Sequence, residues 1–266
     1  MSLSASPLTD LDESADARLD EIDDADERPL PTTEKRTWHA VGRQAAIIGL
    51  ALVAYLTVRA LTVGSETAAF DNANLLLDFE RALGFDWEAG IQQAALDRGW
   101  VVTGANWFYA FAFWPILIAT LVYTWFWQRP LFRRFRNSLF VSGVMGLAIF
   151  AAFPVAPPRF LSGYVDTVSV AARHQYIARP GWLINENAAL PSFHVGWVAL
   201  SAVLLFSVVK APIWRFVILI PPLTMAATVV VTGNHYVIDI VAGVAVSLAA
   251  LLVIVWFERK PTLASN

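Results

Sequence analysis

The sequence predicts an all-α, polytopic membrane protein: a six-transmembrane-helix bundle with interfacial helices in the first extracytoplasmic loop. Three observations carry this expectation. Of the 266 residues, 57% are hydrophobic and 11 are Trp, whereas an ordinary soluble domain is roughly 45–50% apolar. The apolar residues are gathered into long runs, and runs of about 18 or more indicate transmembrane helices. The charges are segregated along the chain, so the net charge of −3 averages two opposed regions. The chain has no Cys, which excludes disulfides and thiolate metal sites.

Taken in order, residues 1–36 carry eleven Asp or Glu against four Lys or Arg and almost no large apolar side chains. Such a segment cannot bury enough surface to offset its ordering entropy, so 1–38 is expected to be a disordered acidic cytoplasmic tail. It lacks the basic start and early apolar stretch of a secretory signal peptide. A membrane-embedded domain over 39–260 follows, then a short C-terminal tail at 261–266. The six expected spans are 43–61, 106–127, 138–154, 192–209, 214–232 and 236–257. The third is short, with Ser142 and Gly146 four apart to allow close helix packing. The fifth contains Pro221-Pro222 and is expected to kink there.

Basic residues set the orientation. With the amino terminus inside, Lys35, Arg36, Arg43, Arg129, Arg133, Arg134, Arg136, Lys210, Arg215, Arg259 and Lys260 collect on the cytoplasmic side. The other side holds Arg59, Arg81, Arg98, Arg159, Arg173 and Arg179, so eleven against six obeys the positive-inside rule. Two long connections then face outward. The first, 62–105, holds seven acids and two arginines in two amphipathic stretches. Leu75, Leu76, Phe79 and Leu83 can share one face there, and Trp87, Ile91 and Ala95 another, as in helices lying along the interface. The second, 156–191, carries Arg159, Arg173, His174 and Arg179.

This topology gathers Arg159, His194 and His235 at one membrane face. Ionisable side chains are costly beside hydrocarbon, and where they persist they usually serve chemistry or ion movement. Taken singly, each motif has a plainer reading. Pro191-Ser192-Phe193-His194 is a helix start with an interfacial histidine, His235-x-x-x-Asp239 a helix-surface hydrogen bond, and Pro157-Pro158-Arg159 a turn with a snorkelling arginine. Together they supply the roles a phosphoryl-transfer site needs. Asp239, four residues after His235, can accept the Nδ1 proton and leave Nε2 as nucleophile. His194 can protonate a leaving oxygen. Arg159 can clamp phosphate, and the helix start beside His194 offers free N–H groups to an anion. Asn106, Tyr109, Glu88 and Asn234 are candidate polar linings of an acceptor pocket.

The strings Ala188-Ala189-Leu190-Pro191-Ser192-Phe193-His194-Val195-Gly196-Trp197 and Gly233-Asn234-His235-Tyr236-Val237-Ile238-Asp239-Ile240-Val241-Ala242-Gly243 resemble signatures of the type 2 phosphatidic acid phosphatase superfamily. They are most similar to its inositol phosphorylceramide synthase-like branch, as are Phe153-Pro154-Val155-Ala156-Pro157-Pro158-Arg159 and the acidic, Trp-containing first loop. The resemblance covers about residues 40–257. It implies a six-helix membrane core and a phosphohistidine intermediate, with His235 as nucleophile, Asp239 its orienter and His194 the acid. It further implies that Arg159 and Ser192 bind phosphate, and that neither metal nor other cofactor is needed. Two departures stand out. Most members of the superfamily carry a lysine where this chain has Ala152 and an arginine where it has Val229. Arg173, Arg179 or His174 in the adjacent loop are the candidates to replace those cations.

The expected function is therefore removal or transfer of a phosphoryl or phospho-head group from a lipid phosphate at the extracytoplasmic face of a multi-pass membrane protein. Water as acceptor makes it a phosphatase, a bound alcohol or polyol a transferase. The expected partners are the lipid substrate and the bilayer, with no nucleic acid, and oligomeric state is open. The rival readings are a lipid or solute transporter and a catalytically inactive lipid-binding protein. Against the first, the chain shows no inverted internal repeat; against the second, His194, His235 and Asp239 are all retained.

Overall fold

A computed structural model describes residues 38–61, 65–167, 169 and 186–259. The acidic segment up to residue 37, Arg173, His174, Arg179 and the segment 261–266 lie outside the described residues. The chain divides into two compact units, Met1–Ile47 and Ile48–Asn266. Of the first, only residues 38–47 are described, as the opening turns of a helix.

The described residues are helical, with no strand among them. In chain order the helices are α1 (Trp38–Leu61), α2 (Glu66–Leu83), α3 (Glu88–Leu96), α4 (Gly99–Phe111), α5 (Phe113–Trp127), α6 (Arg129–Ala152), α7 (Phe193–Phe206), α8 (Pro212–Val231) and α9 (Val237–Arg259). Four carry stretches long and apolar enough to cross a bilayer: His39–Val58 in α1, then α6, α8 and α9. The α4–α5 pair makes a fifth when taken together, although it is bent by 44° at Ala112. Large apolar side chains are exposed on these helices, among them Leu50 at 73%, Leu223 at 69% and Leu252 at 68%. Water would not tolerate so much apolar surface, whereas lipid requires it. The chain is a multi-pass integral membrane protein.

Three expected spans differ in the structure. The second is the broken α4–α5 pair. The fourth, α7, has 14 residues, about 21 Å of helix against roughly 30 Å of hydrocarbon. Its hydrophobicity reflects the protein core rather than length for lipid: Phe193, Val195, Trp197, Val198, Leu200, Ala202 and Leu204 are all buried. The third, expected to be short at 138–154, is a 24-residue helix. Helix α6 begins at Arg129 with Pro130 in its first turn, so the basic cluster Arg133, Arg134 and Arg136 is helical. Helix α8 runs through Pro221 and Pro222 without interruption.

Helix α9 packs chiefly on α7 and α6, and α8 on α7. Contact between α9 and α7 depends on two glycines. A Cβ on Gly243 would lie 2.1 Å from the Ser192 carbonyl oxygen, and one on Gly196 would lie 2.3 Å from that of Gly243. Only hydrogen fits at either place. Ser142 and Gly146 do lie against α7: Ser142 Oγ accepts the Trp197 indole N–H at 3.0 Å, and a Cβ on Gly146 would strike the Phe193 ring.

A second, smaller cluster joins α2 to the loops around the site. Ala69, Ala73, Leu76 and Leu77 pack with Val155, Ala156, Ala189 and Tyr236. The inward face of α2 is thus this small-residue stripe, ending at Glu80. Leu75, Phe79 and Leu83 are exposed, and of the four residues expected to share one face of an interfacial helix only Leu76 is buried. On α3 likewise, Glu88, Gln92 and Ala95 point inward while Trp87 and Ile91 are exposed. The amphipathic pattern is real, but its protein-facing side carries small and polar residues.

Candidate active site

The site is assembled where three loops are tied together by backbone hydrogen bonds. The Val155 N–H donates to the Asn187 carbonyl at 2.9 Å, and the Ala189 N–H to that of Val155 at 3.1 Å, so the strings preceding Arg159 and His194 run side by side. The Arg159 N–H donates to the Gly233 carbonyl at 2.9 Å, bringing in the turn before α9. Gly233 adopts φ +67, a left-handed conformation natural to glycine. A Cβ there would also sit 2.9 Å from Gln92 Nε2 and 3.1 Å from Arg159 Cβ. Finally, the Ser192 N–H donates to the Asp239 carbonyl at 2.9 Å, locking the start of α7 to α9.

His235 is buried, and its Nδ1 lies 2.8 Å from the Ala189 carbonyl oxygen and 3.3 Å from Asp239 Oδ2. A carbonyl can only accept, so Nδ1 carries the proton and Nε2 is left with its lone pair. The closer acceptor is the backbone, not the carboxylate. Asp239 Oδ2 makes its shorter bond, 2.9 Å, with the Tyr236 N–H. Asp239 therefore serves both the imidazole and the first turn of its own helix.

The ring centroid of His194 lies 6.0 Å from that of His235, and His194 is flanked by Tyr109 at 4.6 Å and Phe113 at 4.7 Å. Arg159 is half-buried, and its Nη1 donates to Asn234 Oδ1. Its Nε lies 3.8 Å from Asp166 Oδ1. Asn234 in turn donates from Nδ2 to Thr232 Oγ1 at 2.6 Å, so the arginine's aim is set by a buried amide. His194, His235, Arg159, Asn234 and Glu186 all line one chamber of about 370 Å³. Its other walls are apolar, among them Leu52, Tyr55, Leu56, Trp114, Phe150 and Trp197. Such a chamber suits a ligand with a charged end and a hydrocarbon end.

Of the residues expected at the site, the fold brings His194, His235, Asp239, Arg159 and Asn234 together. Ser192 differs: it is fully buried, its Oγ has no hydrogen-bond partner, and it is not in the chamber wall. Of the two positions where a cation would be usual, Ala152 is exposed at the end of α6, while Val229 is packed in the core. The carbonyl of Val229 accepts the N–H groups of Asn234 and His235 at 2.9 and 3.2 Å. Sequence reasoning passed over Glu80 and Gln92. Gln92 Nε2 donates to the Val165 carbonyl and its Oε1 accepts the Val165 N–H, both at 2.9 Å. The spacing Glu80, Glu88, Gln92 was visible, but nothing local distinguishes these from solvent-facing positions.

No curated protein and no solved structure matches this chain. The family model of the PAP2 superfamily matches residues 74–253, a stretch that contains α9's histidine turn, the start of α7 and Arg159. With that match over most of its length, in a helical membrane protein, the chain belongs to the PAP2 superfamily, whose members are generally phosphatases.

Proposed function

We propose that this protein is a metal-independent lipid-phosphate phosphatase or phosphotransferase that works through a phosphohistidine on His235. The observation that carries the reading is the 2.8 Å contact between His235 Nδ1 and the Ala189 carbonyl, which leaves Nε2 as the basic nitrogen of a residue in the chamber wall. Nε2 attacks phosphorus and the bond to the lipid oxygen breaks. The leaving oxygen takes its proton from His194 in the imidazolium form. In the second half, water or an alcohol attacks the phosphohistidine, the P–N bond breaks, and neutral His194 accepts the acceptor's proton. Arg159, held by Asn234, balances the charge on the phosphoryl oxygens. Arg173 and Arg179 are proposed to add the charge that Ala152 and Val229 cannot supply. Likeness of the motif strings to the inositol phosphorylceramide synthase-like branch favours a phospho-head-group transferase or a phosphatase of the same build.

In this reading the bent α4–α5 pair and the short α7 complete six crossings. Helices α2 and α3 lie along the outer interface, with Leu75, Phe79, Leu83, Trp87 and Ile91 toward lipid. The chamber opens on the extracytoplasmic side, with both termini in the cytoplasm.

The test is turnover of a panel of lipid phosphates by detergent-purified protein in EDTA, following both phosphate and head-group products. The panel includes phosphatidate, polyprenyl phosphates and phosphatidylinositol, with inositol, glycerol or sugars as acceptors. Turnover that survives EDTA and disappears in His235→Ala is expected. Metal dependence, or full activity of His235→Ala, overturns the mechanism. Silence with every donor and acceptor returns the protein to a binding or transport role. In the same assay, unchanged turnover in both Arg173→Ala and Arg179→Ala removes those two from the clamp.

A further inference from the structure

Three carboxyls meet at the start of α9, and only one belongs to the histidine motif. Asp239 Oδ2 accepts the Tyr236 N–H at 2.9 Å. Glu88 Oε1, from α3, accepts the Val237 N–H at 2.7 Å. Glu80 Oε1, from α2, accepts the Ile238 N–H at 2.8 Å. A helix leaves its first amides without partners of its own. Here three consecutive ones are each matched to a carboxyl oxygen, two of them supplied by side chains about 150 residues away in sequence.

Glu80, Glu88 and Asp239 are all 0% exposed. The second oxygens of both glutamates, Oε2 in each case, are sealed from solvent and have no hydrogen-bond partner. Their Oε1 atoms accept from the consecutive amides of Val237 and Ile238, so the two buried carboxyls are held side by side. Two carboxylates held together out of water, with no donor to their second oxygens, repel one another, so the pair keeps a proton. A proton shared by the pair would serve these unpartnered oxygens and remove one of three negative charges from a buried helix end. The dipole of that end offers only about half a positive charge.

We infer that Glu80 and Glu88 form a proton-sharing latch that pins the α2–α3 segment to the first turn of α9 and thereby positions His235 and Asp239. The inference rests on the reading of His235 as nucleophile for its catalytic consequence, but the latch itself does not. Neither glutamate lines the chamber, so both are positioning residues. Loss of the latch frees the turn that holds His235 Nδ1 against Ala189.

The proton makes the latch sensitive to pH. Burial pushes the Glu80 carboxyl up to about 8; the Ile238 amide opposes that shift, and the charges of Glu88 and Asp239 add to it. The other ionisable groups around the pair are Tyr164, Tyr236 and, through Asp239, His235. Arg81, at the rim, is engaged with Asp78 and Asp86. A carboxyl raised on folding stabilises fully below its ordinary value of 4.5 and loses that contribution as pH rises through about 8.

The experiment compares full-length wild type, Glu80→Gln and Glu80→Ala in detergent, reading Tm and, with the donor found above, kcat and KM from about pH 6 to about pH 9. In Glu80→Gln the amide carbonyl still accepts the Ile238 N–H and the NH2 replaces the shared proton. Wild type is expected to lose Tm on the alkaline side and Glu80→Gln to keep it; an alkaline fall of kcat common to both belongs to the His194 acid, and only the excess in wild type belongs to the latch. Glu80→Ala is expected to drop kcat by about tenfold or more at unchanged KM, with Gln restoring most of it. An alkaline loss of Tm in Glu80→Gln as large as in wild type overturns the latch, as does full kcat in folded Glu80→Ala. If Glu80→Ala does not fold, the Gln comparison decides. If wild type turns over no donor, the functional reading fails while the Tm comparison still judges the latch.

Discussion

At the scale of single residues, the site is held by backbone as much as by side chains. His235 owes its tautomer chiefly to the Ala189 carbonyl, with Asp239 Oδ2 at the longer distance. The likeness of His-x-x-x-Asp to a simple dyad hides this, because the carbonyl comes from a loop 46 residues earlier. Other residues act through one well-placed bond. Ser142 Oγ, which donates to the Ser138 carbonyl at 2.6 Å, accepts the Trp197 N–H in the buried α6–α7 contact. Ser142→Ala leaves that indole N–H without an acceptor and is expected to cost about 1–3 kcal/mol. A fall in Tm with motif chemistry intact is the expected readout; an unchanged Tm contradicts the packing described.

At the scale of elements, the two histidines meet because α7 and α9 touch backbone to backbone. Their contact tolerates no methyl group at Gly196 or Gly243. Gly243→Ala must push α9 away from Ser192, which is the residue whose N–H ties the two helices through the Asp239 carbonyl. Overpacking of this kind costs about 1–3 kcal/mol, and here it also separates His235 from His194. Gly243→Ala is therefore expected to lose both Tm and turnover. Wild-type values of both would mean that α7 and α9 do not cross as closely as the structure has them. Helix α7 illustrates a related point. It is short for a bilayer yet strongly apolar, because its neighbours are other helices.

At the scale of the whole molecule, exposed apolar surface defines the belt that lipid covers, and Trp100 at 77%, Trp127 at 67% and Trp214 at 60% exposure sit at helix ends near its margins. Aromatic residues favour that boundary. The orientation proposed here has a direct test, since the chain has no Cys of its own. Single-cysteine variants Asp97→Cys, after α3, and Ala211→Cys, before α8, place a thiol in exposed positions that the proposed topology puts on opposite sides. A membrane-impermeant maleimide applied to intact cells is expected to label the first and spare the second. Labelling of Ala211→Cys alone inverts the topology and removes the chamber from the extracytoplasmic face.

Sequence patterning determined the helical membrane class, the approximate position of most spans and the motif residues that converge. Each of these follows from local properties: run length, hydrophobicity, and motif strings read along the chain. Only the tertiary structure decided how the expected spans are built, with a bend at Ala112 and an α7 too short to cross by itself. It also decided that the buried face of α2 is Ala69, Ala73, Leu76, Leu77 and Glu80 rather than its bulkier stripe. Periodicity finds two faces on such a helix but not which one meets protein, because lipid accepts the larger apolar residues as readily as a core does. Glu80 and Glu88 stayed hidden for the same reason. Their partners, the amides of Ile238 and Val237, are brought to them by the packing of α2 and α3 on the turn before α9, and no local pattern in the chain records that meeting.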